Sequence, residues 1–218
     1  MHRYRAVVLA LALVVVPSSL SAQAQFAVSA FGGVYLPAAD LLEGTFAIDG
    51  GVRLKYGQKT SAVLGGRAAV WPTDRIGIEA EFAYLPSKVE GTWVGGDLVP
   101  QTGEDDASVF LGSLNLMYSL IRPPLEPFSL YVSGGIGYVS RGGDFFDILE
   151  DNSDIAGVFG VGFKYGIARS TWLRLDVRDY ISSYEEKALS EVATEGGESK
   201  MQNDLLIVAS VELVFGGS

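Results

Sequence analysis

The chain has 218 residues, 48% of them apolar and 11% aromatic, with 27 glycines and a formal net charge of −10. That acidity argues against a nucleic-acid partner or an anionic surface held through a basic patch. With no cysteine, disulfides, thiolate metal sites and cysteine-linked lipid are excluded, and no internal run reaches the roughly 20 apolar residues that a spanning helix needs.

Residues 1–24 read as a secretory signal peptide. Arg3 and Arg5 precede an apolar run over 6–16, then Pro17, Ser18, Ser19 and the small-residue site Ala22-Gln23-Ala24. Cleavage is expected after Ala24, with Ala22 as the second choice. His2, the only histidine, leaves with the leader, so every histidine-dependent mechanism is closed to the mature chain. Loss of Arg3 and Arg5 takes Lys plus Arg from 16 to 14 against 26 Asp plus Glu, a net charge of −12.

From residue 25 onward the pattern is a period of two, the signature of strands with two unlike faces. The first predicted strand covers 26–36, with Phe26, Val28, Ala30 and Val34 against Ser29, Phe31 and Tyr35. Residues 38–60 form a long polar connection in which 52–56 alternates well enough to extend a strand outward. A second strand over 62–71 carries Arg67. Pro72-Thr73-Asp74-Arg75 makes a short turn. The third strand, 75–85, sets Ile76, Ile78, Ala80, Phe82 and Tyr84 against Glu79 and Glu81. A hairpin near Thr73 brings Arg67 level with Glu79, within about one register step.

Residues 88–106 read as a long acidic loop, followed by a fourth strand over 108–120. A short proline-rich link leads to a fifth over 128–140. A second acidic loop spans 141–154; its Asp144, Asp147, Glu150, Asp151 and Asp154 lack the spacing of a calcium loop and read as a solvated face rather than a metal site. The sixth strand, starting at Ile155, carries Lys164 on its polar face. The seventh, 171–180, is the sharpest: Leu173, Leu175 and Val177 on one side, Arg174, Asp176 and Arg178 on the other. A last long loop covers 182–201, and the eighth strand, 204–215, carries Glu212.

Eight strands with alternately long and short links make an antiparallel meander. They predict an all-β, eight-stranded up-and-down transmembrane barrel over 25–218, with four long extracellular loops and three short periplasmic turns. A soluble barrel has the same period with the faces exchanged. Side-chain size separates the two: the polar face is mostly Gly, Ser and Ala with a few long charges, as a narrow lumen requires. Those charges balance four against four, Arg67, Lys164, Arg174 and Arg178 opposing Glu79, Glu81, Asp176 and Glu212. They are expected to pair as a lumen charge network that plugs the barrel. Aromatic residues near both strand ends, Trp71, Trp172, Tyr35 and Tyr180 among them, read as two interface belts.

The leader ending Ala22-Gln23-Ala24, the run from Arg174 to Tyr180 and the terminal strand from Val211 to Phe215 resemble the small eight-stranded outer-membrane barrels of the OmpA, OmpX and Ail type, the outer-membrane β-barrel domain proteins. The resemblance implies an outer-membrane location, contact with outer-membrane lipid and lipopolysaccharide, and a terminal strand ending at Phe215 that the barrel-assembly machinery reads. It implies a monomer with a structural or surface-interaction role in the envelope. The alternative is an OmpW-like narrow channel or binding protein for small apolar molecules. No catalytic residue, cofactor or metal is expected.

Overall fold

The computed structural model describes residues 24–37, 42–46, 52–95, 98–121, 127–143, 153–184 and 200–216. The signal-peptide reading falls almost entirely outside them. So do Asp144, Asp147, Glu150 and Asp151 of the second acidic loop.

Ten strands form one antiparallel sheet: β1 (Gln25–Pro37), β2 (Leu42–Phe46), β3 (Val52–Gln58), β4 (Ser61–Trp71), β5 (Ile76–Gly95), β6 (Leu98–Ile121), β7 (Phe128–Gly142), β8 (Ser153–Ala168), β9 (Thr171–Tyr184) and β10 (Lys200–Gly216). Eight of them close on themselves in the order β5-β4-β1-β10-β9-β8-β7-β6, with β6 pairing back onto β5. Closure removes the sheet edge, so every wall strand has neighbours on both sides.

The register fixes the shape of the ring. Followed through aligned partners, Ser140 on β7 leads to Phe110, Tyr84, Leu64, Gly32, Ala209, Leu175 and Phe163, and returns to β7 at Leu130, ten residues lower. With about 3.3 Å per residue and 4.8 Å between strands, eight strands with that stagger tilt by about 41° and enclose a barrel of roughly 8 Å radius. A lumen that narrow is filled by side chains.

Alternation then sorts the residues. Among the described residues thirty large apolar side chains lie exposed on the outer face, Leu64, Leu116, Ile136, Phe159 and Leu175 among them. A water-soluble monomer does not carry an apolar patch of that extent. Along β7, from Phe128 at the turn rim to Tyr138 at the loop rim, the tilted strand rises about 25 Å, the height of a lipid-facing band.

Two expectations change here. Residues 88–106 are not a loop: β5 and β6 continue in paired register past Leu85 and Val109 to Gly95 and Leu98, forming a long ribbon. Strands persist because Val89, Thr92 and Thr102 suit an extended ribbon whose acidic residues can face water. On one edge the ribbon is joined by β3 and then β2, so the strand expected over 52–56 does extend outward. The other change concerns four aromatic residues: Trp71, Trp172, Tyr35 and Tyr180 turn inward. They share strand parity with Arg67, Arg174 and Phe31, and parity outweighs proximity to a rim.

Candidate functional site: the layered lumen

Four layers stack along the barrel axis. At the turn rim Trp71 and Trp172 point inward over Gly77 and Gly166, where a methyl group on Gly77 would meet the Trp71 ring at 2.8 Å. Above them lie the charges. Higher again is an apolar layer, and beneath the loop rim a second polar group closes the stack.

All eight charges named from sequence face inward and are buried. Their strands are far apart in sequence: Arg174 and Glu79 are 95 positions apart. On the ring, β9 lies four strands from β5 in either direction, so the two are opposite walls. Arg174 reaches across to Glu79, with Nη2 donating to Oε1 at 3.1 Å, while its Nη1 donates to Glu212 at 3.1 Å and its Nε to Asp176 at 3.0 Å. Arg178 pairs with Glu79 and, at 2.9 Å, with Glu81. Arg67 pairs with Glu81 and donates from Nη1 to Asp176 at 2.7 Å. Lys164 donates to Glu212 at 2.6 Å.

Arg67 is aligned with Glu81, and Ala69 with Glu79, one inward position from the level expected from sequence. Both carboxylates remain within reach because the guanidinium arm spans that step. Every one of these charges except Lys164, which pairs with Glu212, meets two or three opposite charges, the condition under which buried ions are tolerated. Hydroxyls finish the set: Tyr180 donates to Glu81 at 2.7 Å, and Tyr131 donates to Asp176. The guanidinium carbons of Arg67 and Arg174 lie 4.3 Å and 4.9 Å from the Phe31 and Tyr131 ring centres, adding cation–π attraction. Glycine makes the room, since a methyl group on Gly162 would strike the Tyr131 hydroxyl at 2.0 Å.

Sequence reasoning missed the upper lumen. Val63, Leu85, Val109, Leu111, Val139, Val158 and Leu206 form, with their neighbours, one fully buried apolar cluster inside the barrel. The lumen is polar in its turn-side half and apolar above. The cue was present: stretches such as 109–111 and 205–208 are apolar on both faces near the loop rim. Above this layer Arg141 donates to Asp204 at 2.9 Å and to Asp154 at 3.3 Å, and the Tyr35 hydroxyl donates to Asp204. Arg141 and Asp154 fall in the second acidic loop expected from sequence, whereas the strands β7 and β8 continue through both.

The wall has one thin place. β4 pairs with β5 from Val70–Ile78 up to Leu64–Tyr84, and no further. Continuing the register would set Ala62 against Pro86, which has no N–H to donate. Pairing resumes only at Lys59, whose N–H donates to the Lys88 carbonyl, and in β3.

No group of three or more metal-ligating side chains occurs among the described residues. No helix among them is long and apolar enough to cross a membrane.

Comparison with known proteins agrees with this geometry. Residues 9–208 match the family described as outer membrane protein beta-barrel domain. No curated protein matches the chain. Among solved structures, the outer membrane protein OprG from Pseudomonas aeruginosa is similar in fold, with a TM-score of 0.60 at 15% identity over 89% of this chain and 97% of OprG. Neisserial surface protein A matches at a TM-score of 0.49 and 12% identity, over 89% and 98% of the two chains. The outer membrane protein AlkL matches at 0.49 and 18%, over 89% and 91%. The apolar exterior, the closed ring and the family match together make this chain a member of the outer membrane protein beta-barrel domain family, resident in the outer membrane.

Proposed function

We propose that this barrel is a sealed outer-membrane scaffold whose work is done at its loop rim, in envelope structure or in contacts with surface partners. One observation carries the reading: Arg174 and Arg178 on β9 are paired with Glu79 and Glu81 on the opposite wall. An ion crossing the lumen must break that crossbar and leave a buried charge unpaired, which costs several kcal/mol. The ribbon of β5 and β6, widened by β3 and β2, offers a surface beyond the lipid-facing band. The role is non-catalytic, with no histidine in the mature chain and the buried carboxylates committed to arginines. The exterior belt faces lipid and lipopolysaccharide as a monomer, and the assembly machinery reads β10 up to Phe215. Planar-bilayer recording tests the seal: silence from well-inserted protein supports it, and stable single-channel steps overturn it.

A second reading has its own support. Above the crossbar the lumen is apolar, and the wall beside it is thinned at Pro86. A small apolar molecule admitted at the loop rim would find an oily lining and a weak seam toward the membrane, with the ionic layer barring the route to the periplasm. In the present conformation Leu85, Val109, Leu111, Val139 and Leu206 have no exposed surface, so admission requires side chains to move. The first reading needs no such movement. Partitioning of a fluorescent alkane into the barrel, compared between wild type and Pro86→Val, decides between them.

A further inference from the structure

The turn-side mouth of the barrel holds a cavity of about 340 Å³. It is distinct from the apolar layer and lies on the other side of the charge network. Trp71 and Trp172 form two of its walls, and Lys164 and Glu212 line it deeper in the barrel. The two charges are bonded to each other at 2.6 Å, and the Lys164 ammonium also lies 4.8 Å from the Trp71 ring centre. Ser119 and Ser129 bring hydroxyls 3.1 Å apart, while Gln25, Thr73 and Asp74 stand around the opening.

The chemistry of this lining narrows its occupant. A ligand of strong net charge is disfavoured, because Lys164 and Glu212 neutralise one another and opening the pair strands one of them. A purely apolar ligand is disfavoured too, since it would cover hydroxyls, an amide and carboxylates without replacing their hydrogen bonds. What remains is a neutral molecule with a flat apolar face and a rim of donors and acceptors. A pyranose ring is such a molecule: its C–H face stacks on indole, and its hydroxyls both donate and accept. The volume lies in the range of small-ligand sites and holds a single sugar ring with room for water.

We propose that this vestibule is a binding site for a neutral pyranose sugar. With the short turns on the periplasmic side, the sugar reaches it from that compartment, where glycan is the available source. The site does not require the lumen to be sealed, so bilayer silence or conductance leaves it unaffected.

The protein has three tryptophans, two of them in this cavity, so fluorescence reports on it directly. A Trp93→Phe protein in lipid nanodiscs leaves only Trp71 and Trp172 as emitters. Titration with N-acetylglucosamine is expected to give a saturable change in emission in the millimolar range. Trp172→Ala should weaken half-saturation by about tenfold, through loss of one stacking face. Gln25→Leu, at the edge of the opening, should weaken it severalfold, and serves as the test if Trp172→Ala loses the heat-shifted gel mobility of a folded barrel. The absence of a saturable change, unchanged half-saturation in a folded variant, or a stronger response to tetramethylammonium than to the sugar would overturn the proposal.

Discussion

Arg174 on β9 and Glu79 on β5 meet across the full width of the barrel, with Nη2 and Oε1 3.1 Å apart and neither side chain exposed. Because the two strands are diametrically opposed, this pair braces the walls against one another as well as filling the space between them. Arg174→Met leaves Glu79 short of a partner in a buried site and should cost about 3–5 kcal/mol. The double variant Arg174→Met with Glu79→Gln should recover part of that loss. Urea unfolding of protein refolded into vesicles measures both, and additive losses would argue against a direct brace.

In the proposed function the same brace forms the seal. Replacing Arg174 and Arg178 together by serine removes the two longest cross-lumen arms, and the variant should give conductance steps absent from wild type. Loss of folding is separated from opening by the heat-shifted mobility of the folded barrel. A folded but silent double variant would mean that the apolar layer above, or the remaining Arg67 and Lys164, closes the lumen without the brace.

Gly162 is kept small by Tyr131, whose hydroxyl lies where a methyl group would go. Gly162→Ala must push that ring away from Asp176 and should cost about 1–3 kcal/mol. Gly112, with no atom within 4 Å of such a methyl, is the control: Gly112→Ala should change stability little. Equal effects at the two positions would count against close packing around Tyr131.

The outer face gives a separate test. Leu175 lies near the middle of the lipid-facing band and is 57% exposed. Leu175→Arg should destabilise the membrane-embedded protein by about 2–4 kcal/mol. In a water-soluble barrel the same exposed substitution would be nearly neutral.

On the ribbon beyond the band, Lys59 bonds to Glu104 and lies 3.0 Å from Glu90, while Lys88 lies 3.3 Å from Glu104. Hydrogen bonds from Lys59 and then Lys88 hold the Glu104 carboxyl below its ordinary value, and those that Lys59 donates to Glu104 and then Glu90 raise its ammonium above its own. A lowered carboxyl contributes above its ordinary pKa, and that contribution fades as pH falls through the lowered value. A raised ammonium contributes below its ordinary pKa and fades as pH rises through the raised value. The ribbon should therefore be tightest between the two ordinary values, 4.5 and 10.5. Amide protection in residues 88–90 and 102–106, measured relative to the intrinsic exchange rate at each pH, should fall in acid and with added salt, modestly because these side chains meet solvent. Glu104→Gln should remove the acid dependence.

How much of this was legible in advance follows from what a period of two encodes. Alternation told which face each residue takes, so Arg67, Glu79, Arg174 and Glu212 could be assigned to the interior and Leu173 and Leu175 to the exterior. Composition added the size argument that turned the apolar face outward, and alternating link lengths pointed to a meander of the eight strands that form the ring, without showing β2 and β3 as separate ribbon strands. Height and partner were beyond it. Which charge meets which depends on a stagger of ten residues around a closed ring, and that stagger brings together side chains 95 positions apart. The same closure decided that Trp71 and Trp172 roof a cavity and that Leu111, Val139 and Leu206 form an oily layer above the ions. It also carried β5 and β6 on as a ribbon where acidic composition had implied a loop. A strand pattern is local, whereas a barrel's interior is a contact among all its walls, so only the closed tertiary structure could arrange it.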